Sequence, residues 1–204
     1  ELDRVLYYGP WLPWVPEASQ FLVVAPQCPG GEGATLRGLG WPMLTGELVS
    51  AVEQLQERFP VDRTRTYATG LSLGGFGVWA LACAKPSLLA AIAPGSCAFT
   101  APMPHSEPLG TLRERIRELP SAESLEPVRR IPAWLFHGRR DDRVDVCGSQ
   151  NAYGALGGAA RGEQLRLTLY DGGHGPDCWH PAYCDSDLYA WLLGHRLSEK
   201  CSDA

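Results

Sequence analysis

The sequence predicts an α/β fold built on a mostly parallel sheet with helices on both of its faces. Short apolar runs typical of buried strands alternate along the chain with longer segments in which apolar residues recur at helical spacing. Because an intervening helix returns the chain to the same end of the sheet, successive strands are expected to pair in parallel. With 204 residues and no internal repeat, the chain is predicted to form a single domain over residues 1–204.

The order of the elements follows from these apolar runs and from the residues that interrupt them. The continuous apolar run at 21–25, which Pro26 ends, is typical of a strand buried on both faces. Apolar residues spaced as on one helix face begin at Leu44, and Pro60 ends that helix. The further predicted strands are 65–71, 90–93, 133–136 and 165–170, and the further predicted helices are 76–84, 149–156 and 187–197.

Residues 97–130 form the least regular part of the chain. Prolines lead into a charged helix at 111–119, in which arginines alternate with acidic residues. Such a segment is either a small cap that borders a substrate cleft or a solvated connecting helix, and the sequence favours neither interpretation.

Composition and charge exclude several classes of function. The formal net charge of −5, without a basic patch, argues against nucleic acid and anionic membranes as partners. No apolar run approaches the ~20 residues that a membrane-spanning helix needs. The seven cysteines are scattered, so we expect free thiols, a reducing compartment and a cytoplasmic location. We predict neither a metal nor a cofactor, and the sequence gives no indication of an oligomeric state.

The segment Gly70-x-Ser72-x-Gly74 has the pattern of a nucleophile elbow, in which a strand turns sharply into a helix and exposes a serine at the bend. A predicted strand precedes this segment and an apolar helix follows it. The two glycines are explained if the backbone approaches closely at both positions, where a Cβ atom would collide. We therefore predict that Ser72 is a nucleophile.

Two further loops carry side chains that could activate a serine. Asp141 follows the predicted strand 133–136, and His174 follows the strand 165–170, between two glycines. Functional groups of parallel sheets gather in the loops at the carboxyl ends of the strands. A serine needs an imidazole as base, and the imidazole needs a carboxylate to fix its tautomer and stabilise its charged form. The chain order Ser, Asp, His therefore predicts a catalytic triad of Ser72, Asp141 and His174.

Two positions of this predicted triad have competitors. Asp142 would replace Asp141 if the loop were shifted by one residue, while Asp145 is interpreted as a solvated carboxylate. His180 competes with His174 but lies further along, in what is interpreted as a loop containing proline, cysteine and tryptophan. The remaining histidines are interpreted as a structural residue at a strand end (His137) and as surface residues (His105 and His195).

Four stretches spread over nearly the whole chain match the motifs of one known superfamily. They are Val23-Val-Ala-Pro-Gln-Cys28, Gly70-Leu-Ser-Leu-Gly-Gly-Phe-Gly77, Phe136-His-Gly-x-x-Asp141-x-x-Val144, and Gly173-His174 with Trp179 and Pro181-Ala-Tyr183. With these motifs the sequence resembles the α/β-hydrolases, specifically the dienelactone-hydrolase and phospholipase/carboxylesterase-like esterases, some of which are described as predicted peptidases. The resemblance implies the α/β-hydrolase fold, with the nucleophile at Ser72, the acid at Asp141 and the base at His174.

The resemblance also indicates where an oxyanion hole would form. One donor would be the backbone N–H of Leu73, the residue after the predicted nucleophile. The other usually comes from a His-Gly-containing loop after an earlier strand, and nothing before Phe21 matches such a loop. In the family that loop precedes the segment that residues 8–10 resemble. We therefore expect an amino-terminally truncated chain that lacks the first strands and one oxyanion donor.

These observations predict a serine hydrolase that cleaves carboxylic esters of small molecules, although thioester and amide hydrolysis use the same groups. Trp41 and Trp179 are predicted to contact the substrate, while core packing is the ordinary alternative for tryptophan. A catalytically impaired binding or scaffold domain is the competing hypothesis, because the loss of one oxyanion donor lowers the rate by roughly 10²–10³-fold.

Overall fold

The computed structural model describes residues 19–28, 40–101 and 120–198. Within these ranges the sheet has four strands, which lie side by side in their order along the chain and pair in parallel. Parallel pairing places all carboxyl ends at the same edge of the sheet, and the predicted parallel sheet is thereby confirmed. The strands are β1 (Tyr67–Leu71), β2 (Ala91–Gly95), β3 (Ala133–Gly138) and β4 (Leu165–Tyr170).

One α-helix of the described ranges precedes the first strand, one lies between each pair of successive strands, and two follow the last strand. The predicted helices beginning at 44, 76, 149 and 187 are confirmed as α1 (Thr45–Arg58), α2 (Leu73–Ala84), α4 (Cys147–Ala155) and α6 (Ser186–Leu193). The last of them ends earlier than expected. Eight of the twelve residues of α2 are buried, as its continuous apolar sequence requires. The helices are α1 (Thr45–Arg58), α2 (Leu73–Ala84), α3 (Ala122–Leu125), α4 (Cys147–Ala155), α5 (Pro176–Cys184) and α6 (Ser186–Leu193).

Two hydrophobic cores lie on opposite faces of the sheet. Ile92 and Leu135 belong to the core that contains side chains of α1, α2 and α4. Trp134 and Phe136, which flank Leu135 along β3, belong to the core that contains side chains of α5 and α6. Because successive residues of a strand point to opposite faces, a sheet covered on both sides needs continuous apolar strands. The predicted placement of helices on both faces is therefore confirmed.

The predicted strand at 21–25 is wrong. Residues 22–28 have no regular secondary structure, and Leu22 and Val24 expose 58% and 49% of their surface. This segment faces the outer edge of β1 across a groove of about 830 Å³, and it does not join the sheet. A strand needs hydrogen-bonding partners along its backbone, and an apolar run does not reveal whether a neighbouring strand lies beside it.

The interpretation of the segment after His174 as a loop is also wrong, because α5 occupies it. The possible cap helix at 111–119 lies outside the described residues, as do residues 29–39 and His105. The formation of one domain by residues 1–204 stays a prediction. None of the helices in the described ranges has both the length and the apolar composition to cross a lipid bilayer.

Candidate active site

Ser72 lies at a sharp bend between β1 and α2. β1 ends at Leu71 and α2 begins at Leu73, and Ser72 between them has φ 53° and ψ −117°. These angles are those of the first central residue of a type II′ turn, a conformation that favours glycine and strains other residues. The bend therefore has the geometry of a nucleophile elbow.

Close backbone approach explains the glycine before the serine but not the one after it. A Cβ atom at Gly70 would lie 2.5 Å from the carbonyl carbon of Gly74, which is nearer than unbonded atoms can pack. A Cβ atom at Gly74 would meet nothing within 4 Å, so the predicted collision at that position is wrong. Of the two glycines in the motif, only Gly70 is needed for this close approach of strand and helix.

Asp141 lies in the loop after β3, which is held against the loop after β4. The backbone N–H of Arg140 donates to the carbonyl oxygen of Gly172 at 2.9 Å. A Cβ atom at Gly138 would lie 2.4 Å from the carbonyl oxygen of Gly173. The two loops can lie this close together because residue 138 has no side chain.

The three loops bring the side chains of Ser72, Asp141 and His174 together. His174 Nε2 lies 2.8 Å from Ser72 Oγ, and His174 Nδ1 lies 2.7 Å from Asp141 Oδ2. The side chain of His174 is only 5% exposed, and that of Asp141 is fully buried. The distances fit one tautomer, in which Nδ1–H donates to the carboxylate and Nε2 accepts the serine hydroxyl. In this arrangement an imidazole can take the proton of the serine.

The carboxylate of Asp141 is surrounded by hydrogen-bond donors. Its Oδ1 accepts from the backbone N–H groups of Arg143 and Val144, each at 2.9 Å. Its Oδ2 accepts from His174 and lies 3.3 Å from Nε2 of His137. Burial alone would raise the pKa of Asp141, but the hydrogen bonds from the two histidines and the backbone outweigh it and hold the pKa well below its usual range. The group is therefore ionised at neutral pH.

The competing residues lie elsewhere. Asp142 and Asp145 are exposed, and Oδ1 of Asp145 accepts a hydrogen bond from the backbone N–H of Cys147 at 3.0 Å. His180 lies within α5, whereas the ring that reaches the serine is that of His174. Among the described residues, no group of three or more His, Cys, Asp or Glu side chains is arranged to hold a metal ion.

The two tryptophans predicted to contact substrate lie in different places. The ring of Trp179 lies 5.2 Å from that of His174, edge to face, and its Nε1–H donates to Ser96 Oγ at 2.9 Å. Ser96 follows β2 and has a positive φ of 48°, and no motif in the sequence marks it. Trp41 instead packs against α2. A Cβ atom added at Gly77 of this helix would lie 2.7 Å from the Cβ of Trp41. Only Trp179 contacts one of the three predicted triad residues.

Leu73 is the first residue of α2. The N–H groups in the first turn of a helix have no acceptor within the helix, and the helix dipole adds partial positive charge there. The backbone N–H of Leu73 can therefore serve as a donor to an anion that forms next to Ser72.

Comparisons with known proteins bear on the fold. No protein-family model and no curated protein matches the chain. The crystal structure of a thermostable esterase superposes with a TM-score of 0.57 at 25% identity, over 74% of this chain and 36% of that protein. The crystal structure of esterase PE8 superposes with a TM-score of 0.53 at 23% identity, over 78% of this chain and 64% of that protein. The chain thus spans less than two thirds of either protein. It has the α/β-hydrolase fold, which confirms the predicted fold class.

Proposed function

We propose that this chain with the α/β-hydrolase fold is a serine hydrolase that cleaves carboxylic esters through an acyl-enzyme formed on Ser72. The observation that carries the proposal is the hydrogen-bonded series from Ser72 Oγ through His174 to Asp141, with distances of 2.8 Å and 2.7 Å. The crystal structures that superpose on the chain are named as those of esterases, and this supports the same reaction class.

In the first half of the reaction, Ser72 Oγ attacks the acyl carbon while His174 Nε2 takes the hydroxyl proton. The backbone N–H of Leu73 donates to the oxyanion of the tetrahedral intermediate. His174 then gives its proton to the leaving alkoxide, and the acyl group remains bonded to Ser72. Throughout, Asp141 accepts Nδ1–H, which keeps the imidazole in the required tautomer and stabilises its charged form.

In the second half, water attacks the acyl carbon of the intermediate. His174 Nε2 takes a proton from the water and passes it to Ser72 Oγ as the acyl–oxygen bond breaks. The products are a carboxylic acid, the alcohol released earlier and the free enzyme. The same groups would cleave thioesters or amides.

The substrates proposed are short acyl or aryl esters. Trp179 would contribute to their site because its ring lies beside His174, and an aromatic ring of this kind offers an apolar surface to an acyl or aryl group. The sequence motifs around Ser72, Asp141 and His174 further favour the dienelactone-hydrolase and phospholipase/carboxylesterase-like branch of the fold. Trp41 is the weaker candidate for substrate contact, since it packs on α2.

Reaction with a fluorophosphonate probe, with the modified residue located by mass spectrometry, tests the proposal. We expect stoichiometric labelling at Ser72 in the wild type and in the control Ser87→Ala, since Ser87 is exposed in the Pro86–Leu88 turn. We expect no labelling in Ser72→Ala. A folded wild-type protein that does not react would overturn the proposal and favour a hydrolase-like binding or scaffold domain.

A further inference from the structure

A second histidine contacts the carboxylate of Asp141. His137 lies in β3, its side chain is fully buried, and both ring nitrogens have polar partners. Nδ1 lies 2.7 Å from Ser149 Oγ, and the same oxygen lies 2.8 Å from the carbonyl oxygen of Cys97. Nε2 lies 3.0 Å from the carbonyl oxygen of Val144 and 3.3 Å from Asp141 Oδ2.

The surroundings of Nε2 determine where the ring hydrogen lies. Both atoms that face Nε2 are oxygens that only accept hydrogen bonds, because one is a backbone carbonyl and the other belongs to an ionised carboxylate. A lone pair on Nε2 would leave this buried contact without a hydrogen, which is costly in the protein interior. Nε2 therefore carries a hydrogen that it donates to the carbonyl oxygen of Val144, and the same nitrogen lies 3.3 Å from the Oδ2 that accepts from His174.

We infer that His137 is a positioning residue, whose Nε2–H holds the Asp141 carboxylate in the place and charge state that His174 requires. The inference rests on the proposed function, in which that carboxylate orients the base. His137 does not touch the reacting atoms, since only His174 reaches Ser72. It is suited to this role because it belongs to a strand paired on both sides, and its Nδ1 is fixed by Ser149.

Loss of the Nε2–H donor has an electrostatic consequence at His174. The negative charge of Asp141 favours the protonated form of His174, and a donor on Oδ2 offsets part of that charge. Without the donor, the full charge of the carboxylate would act on the imidazole that must accept the proton of Ser72. The acidic limb of the pH–rate profile should therefore move to higher pH.

Two thiols near this network keep one charge state over the pH range of interest. Burial raises the pKa of the Cys97 thiol, and it raises the pKa of Cys178 to about 11, so both thiols stay neutral. The loop after β3 also carries exposed charges, which water screens and which all variants share: Asp142, Arg143 and Asp145.

The test compares His137→Gln, whose amide can replace the Nε2–H donor, with His137→Leu, which has no donor. The rate of fluorophosphonate labelling at Ser72 is measured against pH, and the fold is checked by circular dichroism. In His137→Leu we expect the acidic limb to move up by roughly half a pH unit and the labelling rate to fall about tenfold. In His137→Gln we expect the acidic limb to remain near that of the wild type. Equal limbs in all three proteins would overturn the inference, because a merely structural residue changes rate or stability without moving the limb.

A second measurement does not depend on activity. The chain has five histidines, so ¹⁵N-histidine spectra can be assigned by loss of the His137 signals in His137→Gln. We expect a hydrogen atom attached covalently to Nε2 of His137 that exchanges slowly with water. An Nε2 without a hydrogen would overturn the inference, even if His137→Leu does not fold. If wild-type Ser72 is not labelled, the proposed function fails, while the spectrum still decides the role of His137 at Asp141.

Discussion

His174 Nδ1 lies 2.7 Å from Asp141 Oδ2, although 33 positions separate the two residues along the chain. Replacement of Asp141 by asparagine would present an amide that can donate to Nδ1 and favour the wrong imidazole tautomer. We expect kcat for p-nitrophenyl acetate to fall by about 10⁴-fold in Asp141→Asn. The matched control is Asp142→Asn, which alters an exposed neighbour and should retain activity. Similar losses in both variants would contradict the assignment of the acid to Asp141.

Asp141 should also make stability depend on pH. Because folding lowers its pKa, the ionised carboxylate stabilises the fold; this contribution is complete above the ordinary aspartate value of 3.8 and is lost as the pH falls below it. Between about pH 5 and about pH 2, the free energy of unfolding in urea should decrease more for the wild type than for Asp141→Asn. Asp62, whose pKa hydrogen bonds from Thr64 lower to about 2, contributes to both proteins. Parallel curves would show that Asp141 does not stabilise the fold.

Gly138 permits the close contact between the loops after β3 and β4. In Gly138→Ala the new Cβ atom would lie 2.4 Å from a backbone oxygen, so the loops that carry Asp141 and His174 must move apart. We expect the free energy of unfolding to drop by about 1–3 kcal/mol, and labelling at Ser72 to slow. The control Gly154→Ala adds a methyl group to an exposed position of α4 with no atom within 4 Å, and should stabilise the fold by about 0.5–1 kcal/mol. An unchanged labelling rate in Gly138→Ala would show that the contact is unnecessary.

The exposure of the segment at 21–25 can be tested with two identical substitutions. Leu22 is 58% exposed, whereas Leu135 in β3 is 1% exposed. Leu22→Ala should change the free energy of unfolding by less than about 0.5 kcal/mol, and Leu135→Ala should reduce it by about 2–5 kcal/mol. Chemical denaturation measures both. A large loss in Leu22→Ala would mean that this segment is buried in solution.

The elements that the sequence predicted correctly are those determined by local pattern. The apolar runs of β2 and β3 report burial on both faces, and the helical spacing of α1 reports its amphipathic face. The placement of Ser72, Asp141 and His174 in neighbouring loops followed from topology, because parallel strands end at one edge of a sheet. These inferences need only the residues within each segment and their order.

The sequence did not predict three features, each for a different physical reason. The apolar run at 21–25 has the composition of a buried strand but lacks a strand to pair with among the described residues. The prolines at 176 and 181 suggested a loop, yet Pro176 at the start of α5 is compatible with a helix. The contact between His137 and Asp141 arises from the turn of the loop between them, which no residue type specifies by itself.

The strained backbone at Ser72 means that thermal stability and catalytic activity favour different residues at this position. Glycine adopts φ 53° and ψ −117° without strain, so Ser72→Gly should stabilise the fold by about 1–2 kcal/mol. Directed evolution for heat tolerance alone would therefore favour glycine at position 72, and the selected proteins would lack the nucleophile. A heat-resistant version that keeps its nucleophile must gain stability elsewhere, and each round of selection would need an activity screen.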